Sequence, residues 1–198
     1  MVKQIVFIGG GMTFKKRTDY LTYLKTRDIS LESSKKWHRE YLLKQLGDQY
    51  QIIRPTMPTP EYAKYDEWKI HFERILPLLH KRIILIGSSL GGIFLTKYLS
   101  EHKIKNTITK LILVAAPFDD EGSPEDLAGG FRLKADLSLI QKQSKEVHFL
   151  FSQNDEVVPP QQAAKYARKL PDANIQILKK VTGHFQVEKL PQIVKLIK

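Results

Sequence analysis

Apolar residues gather along this chain in short runs, separated by longer stretches in which they recur every three or four positions. The runs are residues 2–8, 51–54, 83–86, 110–116, 147–152 and 175–178. Apolar runs of this length without strict alternation are the pattern of strands covered on both faces, as in a parallel sheet. Between them the spacing predicts helices. Trp37, Tyr41, Leu42 and Leu46 mark one over 34–47, with Ser33 or Ser34 as N-cap and Gly47 as the stop. Tyr62, Tyr65, Phe72, Ile75, Leu76 and Leu79 mark a second over 61–79. Others are expected from 92 to about 102, over 160–170 and over 187–198. Six strands alternating with helices predict an α/β chain, a doubly wound parallel sheet in one domain spanning 1–198.

Two stretches stand outside that alternation. Residues 13–33 are polar and basic, with aromatics at Phe14, Tyr20 and Tyr23, and predict an inserted loop. It is either a functional flap or a loop that Tyr20, Leu21 and Leu24 pin to the body. Residues 117–135 predict a short lid. Its start carries five acids in nine residues, 118–126, within an otherwise basic chain. An acidic loop at the carboxyl ends of parallel strands lies where ligands bind, and would repel anionic substrates or attract cationic ones. The order of its acids is not the D-x-[DN]-x-[DN]-G of a calcium loop, so no metal is expected there.

The net charge of +11 raises the question of a polyanionic partner. The lysines are scattered, however, and the densest groups, Lys15-Lys16-Arg17 and Lys35-Lys36, have no interleaved aromatics, so nucleic acid is not expected. No run of about 18 apolar residues is present for a membrane span, and the N-terminus reads as a strand rather than a signal peptide. The absence of cysteine removes disulfides and thiolate metal sites. A cytoplasmic protein is the expectation.

The sharpest chemical signal is Gly87-Ser88-Ser89-Leu90-Gly91, lodged between the apolar run 83–86 and an amphipathic stretch. Strand, tight turn and helix are the setting in which G-x-S-x-G presents a nucleophilic serine. The register selects Ser89, because Ser88 would have Ile86 and Leu90 at the two crowded positions that need glycine. The Leu90 amide then opens a helix, where free N–H groups favour an oxyanion. The glycines at 9–11 follow the first strand. Read as G-x-G-x-x-G the third glycine would fall on Phe14, and no G-K-[ST] follows, so they do not cradle a nucleotide. They suit a second oxyanion donor, the amide of Gly11 or Met12.

Serine needs a base, and the base needs an acid to fix its tautomer. Asp155 and His184 follow the fifth and sixth strands on loops at their carboxyl ends, in the order serine, acid, histidine. Asp155 competes with Glu156, Asp119 and Asp120, and is preferred as the first acid after its strand. His71 and His80 lack a partner at metal spacing, and Trp37 and His38 read as packing and surface.

These features resemble the α/β-hydrolase superfamily across nearly the whole chain. Within it the pattern is similar to the small serine hydrolases of the retinoblastoma-binding protein 9 type. The likeness rests on Met57-Pro58-Thr59-Pro60 before a Trp68-bearing helix, on 87–91, on a 115–131 lid ending Gly-Gly-Phe, on Asp155 followed by Val158-Pro159, and on Gly183-His184-Phe185-Gln186. It implies a three-layer, mostly parallel six-stranded sheet with helices on both faces, and a compact, cofactor-free hydrolase of small esters or amides. The nucleophile, acid and base then fall on Ser89, Asp155 and His184. Ser88 and Gly9 stand where the superfamily often has histidine, and the 13–33 insertion is longer than the family's usual loop. The alternative expectation is a non-catalytic protein-binding module on the same scaffold.

Overall fold

The computed structural model describes residues 2–31 and 36–198. Each apolar run is a strand: β1 (Lys3–Ile8), β2 (Tyr50–Ile53), β3 (Arg82–Ser88), β4 (Thr107–Val114), β5 (Val147–Ser152) and β6 (Asn174–Leu178). They form one sheet in the order β2-β1-β3-β4-β5-β6, with every neighbouring pair parallel. In β1 and β3 the consecutive residues Ile5 to Ile8 and Ile83 to Ile86 are all buried. Successive side chains of a strand point to opposite faces, so both faces of the sheet are covered. The helices are α1 (Arg17–Thr26), α2 (Glu40–Leu46), α3 (Tyr65–Ile75), α4 (Leu90–Glu101), α5 (Ser138–Gln143), α6 (Gln162–Lys169) and α7 (Pro191–Ile197), and α2 to α7 each bury side chains. α3 and α5 pack against α4, while α2 packs with α7.

From β1 the chain moves outward to β2, then returns to β3 on the other side of β1 and continues to β6. The carboxyl ends of β1 and β3 therefore flank the point where strand order reverses, which in open parallel sheets leaves a crevice. The glycines at 9–11 and Ser89 both lie there. One wall of the crevice is anchored by an aromatic core. Trp68 meets Phe94 and Phe131 edge to face, with centroids 5.5 and 5.4 Å apart, and Phe72 meets Phe94 and Tyr98 at 5.5 and 5.1 Å. Such pairs add about 0.5–1.5 kcal/mol each beyond their burial. Phe131 ends the lid, so the core that supports α4 also fixes the lid.

Several expected boundaries move, for identifiable reasons. The 13–33 insertion is not an irregular loop, since α1 occupies its centre. None of α1's residues is buried, so it has no apolar stripe to betray it. Aromatic contacts hold it instead: Tyr20 stacks on Tyr62 at 4.8 Å, and Phe14 lies 5.5 Å from both Tyr20 and Tyr23. Leu21, expected to help pin the segment, is exposed. The helix expected over 34–47 is regular only from Glu40, and its proposed caps Ser33 and Ser34 lie outside the described residues. The 61–79 helix is α3 flanked by short 3-10 turns at Pro60–Tyr62 and Leu76–Leu78, each with a proline in its first turn. Pro191 likewise sets the start of α7, later than 187. Helix α5 was not expected; Asp136 Oδ1 accepts the Ser138 N–H at 2.8 Å as it begins. Among the described residues no helix is long and apolar enough to cross a membrane.

Candidate active site

Strand β3 ends at Ser88 and α4 begins at Leu90, leaving Ser89 alone at the turn with φ 55° and ψ −124°. Backbone of this kind is strained for any residue with a Cβ and persists only where surroundings hold it. Here the Ser89 N–H donates to Val114 O at 2.8 Å, and Ser89 O accepts from the N–H groups of Gly92 and Ile93 at 2.8 and 3.2 Å. The strain aims the hydroxyl out of the sheet. Gly87 is required because a Cβ there would lie 2.6 Å from Gly91 O and 2.7 Å from Gly92 Cα.

Ser89 Oγ donates to His184 Nε2 at 2.9 Å, and His184 Nδ1 lies 3.0 and 2.9 Å from the two Asp155 carboxylate oxygens. A carboxylate only accepts, so Nδ1 carries the proton and Nε2 is the free base. The Asp155 side chain is fully buried. Its Oδ1 also accepts the N–H groups of Val157 and Val158, each at 2.9 Å, which supports the charge that burial would otherwise disfavour. The histidine loop is tied to the same turn: Gly183 N–H donates to Asn154 Oδ1 at 3.2 Å, and Ser152 Oγ donates to Val181 O at 2.7 Å. The competing acids point elsewhere. Asp119 pairs with Lys165 at 2.7 Å, Asp120 with Arg132 at 3.0 Å, and Glu156 is exposed.

On the β1 side the Met12 N–H donates to Pro60 O at 2.8 Å and Met12 O accepts from Ala63 at 2.9 Å. That commits the Met12 amide, whereas the amides of Gly11 and Leu90 have no backbone acceptor among the described residues. Gly11 must be glycine, since a Cβ would lie 2.4 Å from Pro60 O. The Pro60 loop is held in turn by the Trp68 indole, which donates to Pro58 O at 2.8 Å. Met57-Pro58-Thr59-Pro60 and Trp68 thus act together to place the glycine loop beside Ser89.

Two hollows meet at the serine. One of about 400 Å³ is walled by Phe7, Tyr23, Trp37, His38 and Phe185. The other, about 20 Å³, lies under the lid between Leu127 and Val158. A larger hollow of about 610 Å³ opens at the amino ends of the strands, away from Ser89 and His184, among Lys3, Arg82 and Lys110. The lid is secured by Gln162, nearly fully buried. Its Oε1 accepts from Phe118 and Asp119 N–H at 2.9 and 3.2 Å, and its Nε2 donates to Glu121 O at 2.9 Å. Nothing in the sequence signalled that role, because the partners lie more than 40 positions away. Glu125, which reaches both hollows at Ser89, was likewise missed as an individual residue. Among the described residues no three His, Asp or Glu side chains converge as metal ligands.

His38, expected to be packing and surface, is part of the wall. It stacks on Phe7 at 4.5 Å, and its buried Nδ1 has no partner among the described residues. Burial first, then Lys36, Arg54 and Arg39, push its pKa down to about 4. The folded pKa lies below the unfolded value near 6.5, so its contribution to stability is complete above pH 6.5 and is lost as pH falls towards 4. His38→Phe keeps the stack and removes the titration. In urea unfolding between pH 7.5 and 4.5, wild type is expected to lose on the order of 1–2 kcal/mol more than the variant, after allowing for solvent screening. Equal losses would show that His38 is not held neutral.

Comparison with known proteins adds the family. The family model described as "Serine hydrolase" matches residues 31–197. The chain belongs to the serine hydrolase family. Solved structures that this serine hydrolase resembles include the ydeN gene product of Bacillus subtilis, at 20% identity and TM-score 0.74, covering 99% of this chain and 97% of that one. A putative YdeN-like hydrolase from Pectobacterium atrosepticum aligns at 17% identity and TM-score 0.67, covering 99% and 89%. The thioesterase domain from the curacin biosynthetic pathway aligns at 13% and 0.63, covering 99% and 90%. At these identities they establish the α/β-hydrolase fold for the serine hydrolase chain. Comparison with curated protein sequences gives no match.

Proposed function

We propose that this serine hydrolase cleaves a small acyl ester or amide through an acyl-enzyme on Ser89. The observation that carries the reading is the unbroken relay from Ser89 Oγ through His184 to buried Asp155, with each contact at 2.9–3.0 Å. Ser89 Oγ attacks the carbonyl carbon as His184 Nε2 takes its proton, and Asp155 stabilises the imidazolium. The oxyanion is received by the amides of Leu90 and Gly11, at the start of α4 and beside β1. Collapse expels the leaving group, which takes the proton from Nε2. Water, deprotonated by the same nitrogen, then releases the acid and restores Ser89. No cofactor takes part.

The narrower likeness to hydrolases of the retinoblastoma-binding protein 9 type fits this reading, with Trp68 and the 57–60 loop serving the oxyanion side. A thioesterase among the fold neighbours keeps thioesters within the acyl class considered.

The test is covalent labelling by a fluorophosphonate probe, followed by peptide mapping. Wild type is expected to label at Ser89, and His184→Ala is expected to slow labelling by at least a hundredfold. A protein that neither labels nor turns over short acyl esters, though folded, would reject catalysis and favour a binding module on the same scaffold.

A further inference from the structure

We infer that Glu125 is a specificity-determining residue that selects substrates carrying a cationic group, of the ammonium class, close to the scissile acyl bond. The inference rests on the hydrolase reading for the identity of the bond and goes beyond it in naming the substrate's charge.

Four of the five lid acids are neutralised: Asp119 and Glu121 by Lys165 at 2.7 and 2.6 Å, Asp120 by Arg132 at 3.0 Å, and Asp126 by Lys15 at 2.6 Å. Glu61, the other acid of the larger hollow, pairs with Arg27. The Glu125 carboxylate alone has no hydrogen bond or ion pair among the described residues, although its own N–H is fixed by Ser123 Oγ at 3.0 Å. In a chain of net charge +11, an acid left unpaired inside a cleft is conspicuous.

Its position is equally specific. Among the described residues three line both hollows, and they are Gly11, Ser89 and Glu125. Two of these are the proposed oxyanion donor and the nucleophile, so Glu125 sits where the acyl and leaving-group sides of a bound substrate meet. It is half-buried, and burial, aided by the nearby Asp155 charge and opposed by His184, holds its carboxyl above the usual range. A desolvated carboxylate without a partner is costly, and a ligand cation would relieve that cost. Glu125 does not act as a second orienting acid. Both imidazole nitrogens of His184 are already engaged, Nδ1 by Asp155 and Nε2 by Ser89.

The test compares isosteric thioesters: acetylthiocholine against 3,3-dimethylbutyl thioacetate, and a matched pair with the trimethylammonium on the acyl side. Wild type is expected to favour the cation in at least one pair. In Glu125→Gln the cation-to-neutral ratio of kcat/KM should fall about tenfold, with the neutral substrate changed by less than about threefold. A parallel calorimetric titration with choline and with 3,3-dimethyl-1-butanol reads the same preference without turnover. A ratio unchanged by Glu125→Gln, or no cation preference in either assay, overturns the inference. Choline binding that Glu125→Gln abolishes, in a protein that neither labels with fluorophosphonate nor turns over any ester, upholds the Glu125 site and rejects the hydrolase reading instead.

Discussion

Ser89→Ala is expected to lower kcat/KM on a short acyl ester by about four to six orders of magnitude, leaving only what binding and the oxyanion amides supply. Asp155→Asn should approach the same loss, about 10⁴-fold, because an amide presents a donor as well as an acceptor to Nδ1 and no longer enforces the tautomer. In the proposed mechanism the Ser89, Asp155 and His184 side chains act as one relay, so the Ser89→Ala/Asp155→Asn pair should be little worse than Ser89→Ala alone. The measurement is steady-state turnover with thermal melting of each variant alongside. Because residue 89 has φ 55°, alanine inherits the strain of serine. Ser89→Gly, free of that strain, separates lost chemistry from altered stability. Turnover within tenfold of wild type in both Ser89 variants would remove the serine from the mechanism.

The legible parts of this molecule were those written locally. Six apolar runs gave six parallel strands, most plainly in β1, β3 and β5, where burial on both faces leaves no alternation to confuse the pattern. Ser89 stood out because the G-x-S-x-G pattern is written in five consecutive residues, although only Gly87 answers to atoms nearby in sequence and Gly91 answers to Ile8 and Gly9 of the β1 end. Helix α1 was not legible, since a helix held by Tyr20 on Tyr62 and by Arg27 on Glu61 needs no apolar stripe. The choice among acids was only half legible. Chain order favoured Asp155, but what separates it from Asp119 and Asp120 is that those two are occupied by Lys165 and Arg132, partners 46 and 12 positions away. Glu125 is the same lesson inverted: an acidic run shows in the sequence, but which acid lacks a cation among the described residues appears only once the chain is folded. His38 belongs here too, since the desolvation that holds it neutral comes from the wall it helps build.

Gly91→Ala is expected to be among the most damaging small substitutions in the chain. A Cβ at 91 would lie 2.3 Å from Ile8 O, 2.4 Å from Gly9 O and 2.7 Å from Ile8 C, all backbone atoms that no rotamer change can move. Relief requires α4 to withdraw from the end of β1. That is hard, because residues 90–99 of α4 are all buried. Overpacking of this kind typically costs about 1–3 kcal/mol where side chains can yield, and the cost here should reach at least about 3 kcal/mol. The natural control is Gly183→Ala, beside His184. Gly183 has φ 57° but nothing within 4 Å of its would-be Cβ, so only the left-handed backbone is penalised, by about 1–2 kcal/mol. Urea unfolding of the two variants should therefore separate them clearly. Activity should separate them further, because withdrawing α4 from β1 pulls the Leu90 amide away from the Gly11 amide across the proposed oxyanion site. A Gly91→Ala protein as stable as Gly183→Ala would mean that α4 and β1 have room to part. The tight crossing would then not be what holds Ser89 and the glycine loop in register.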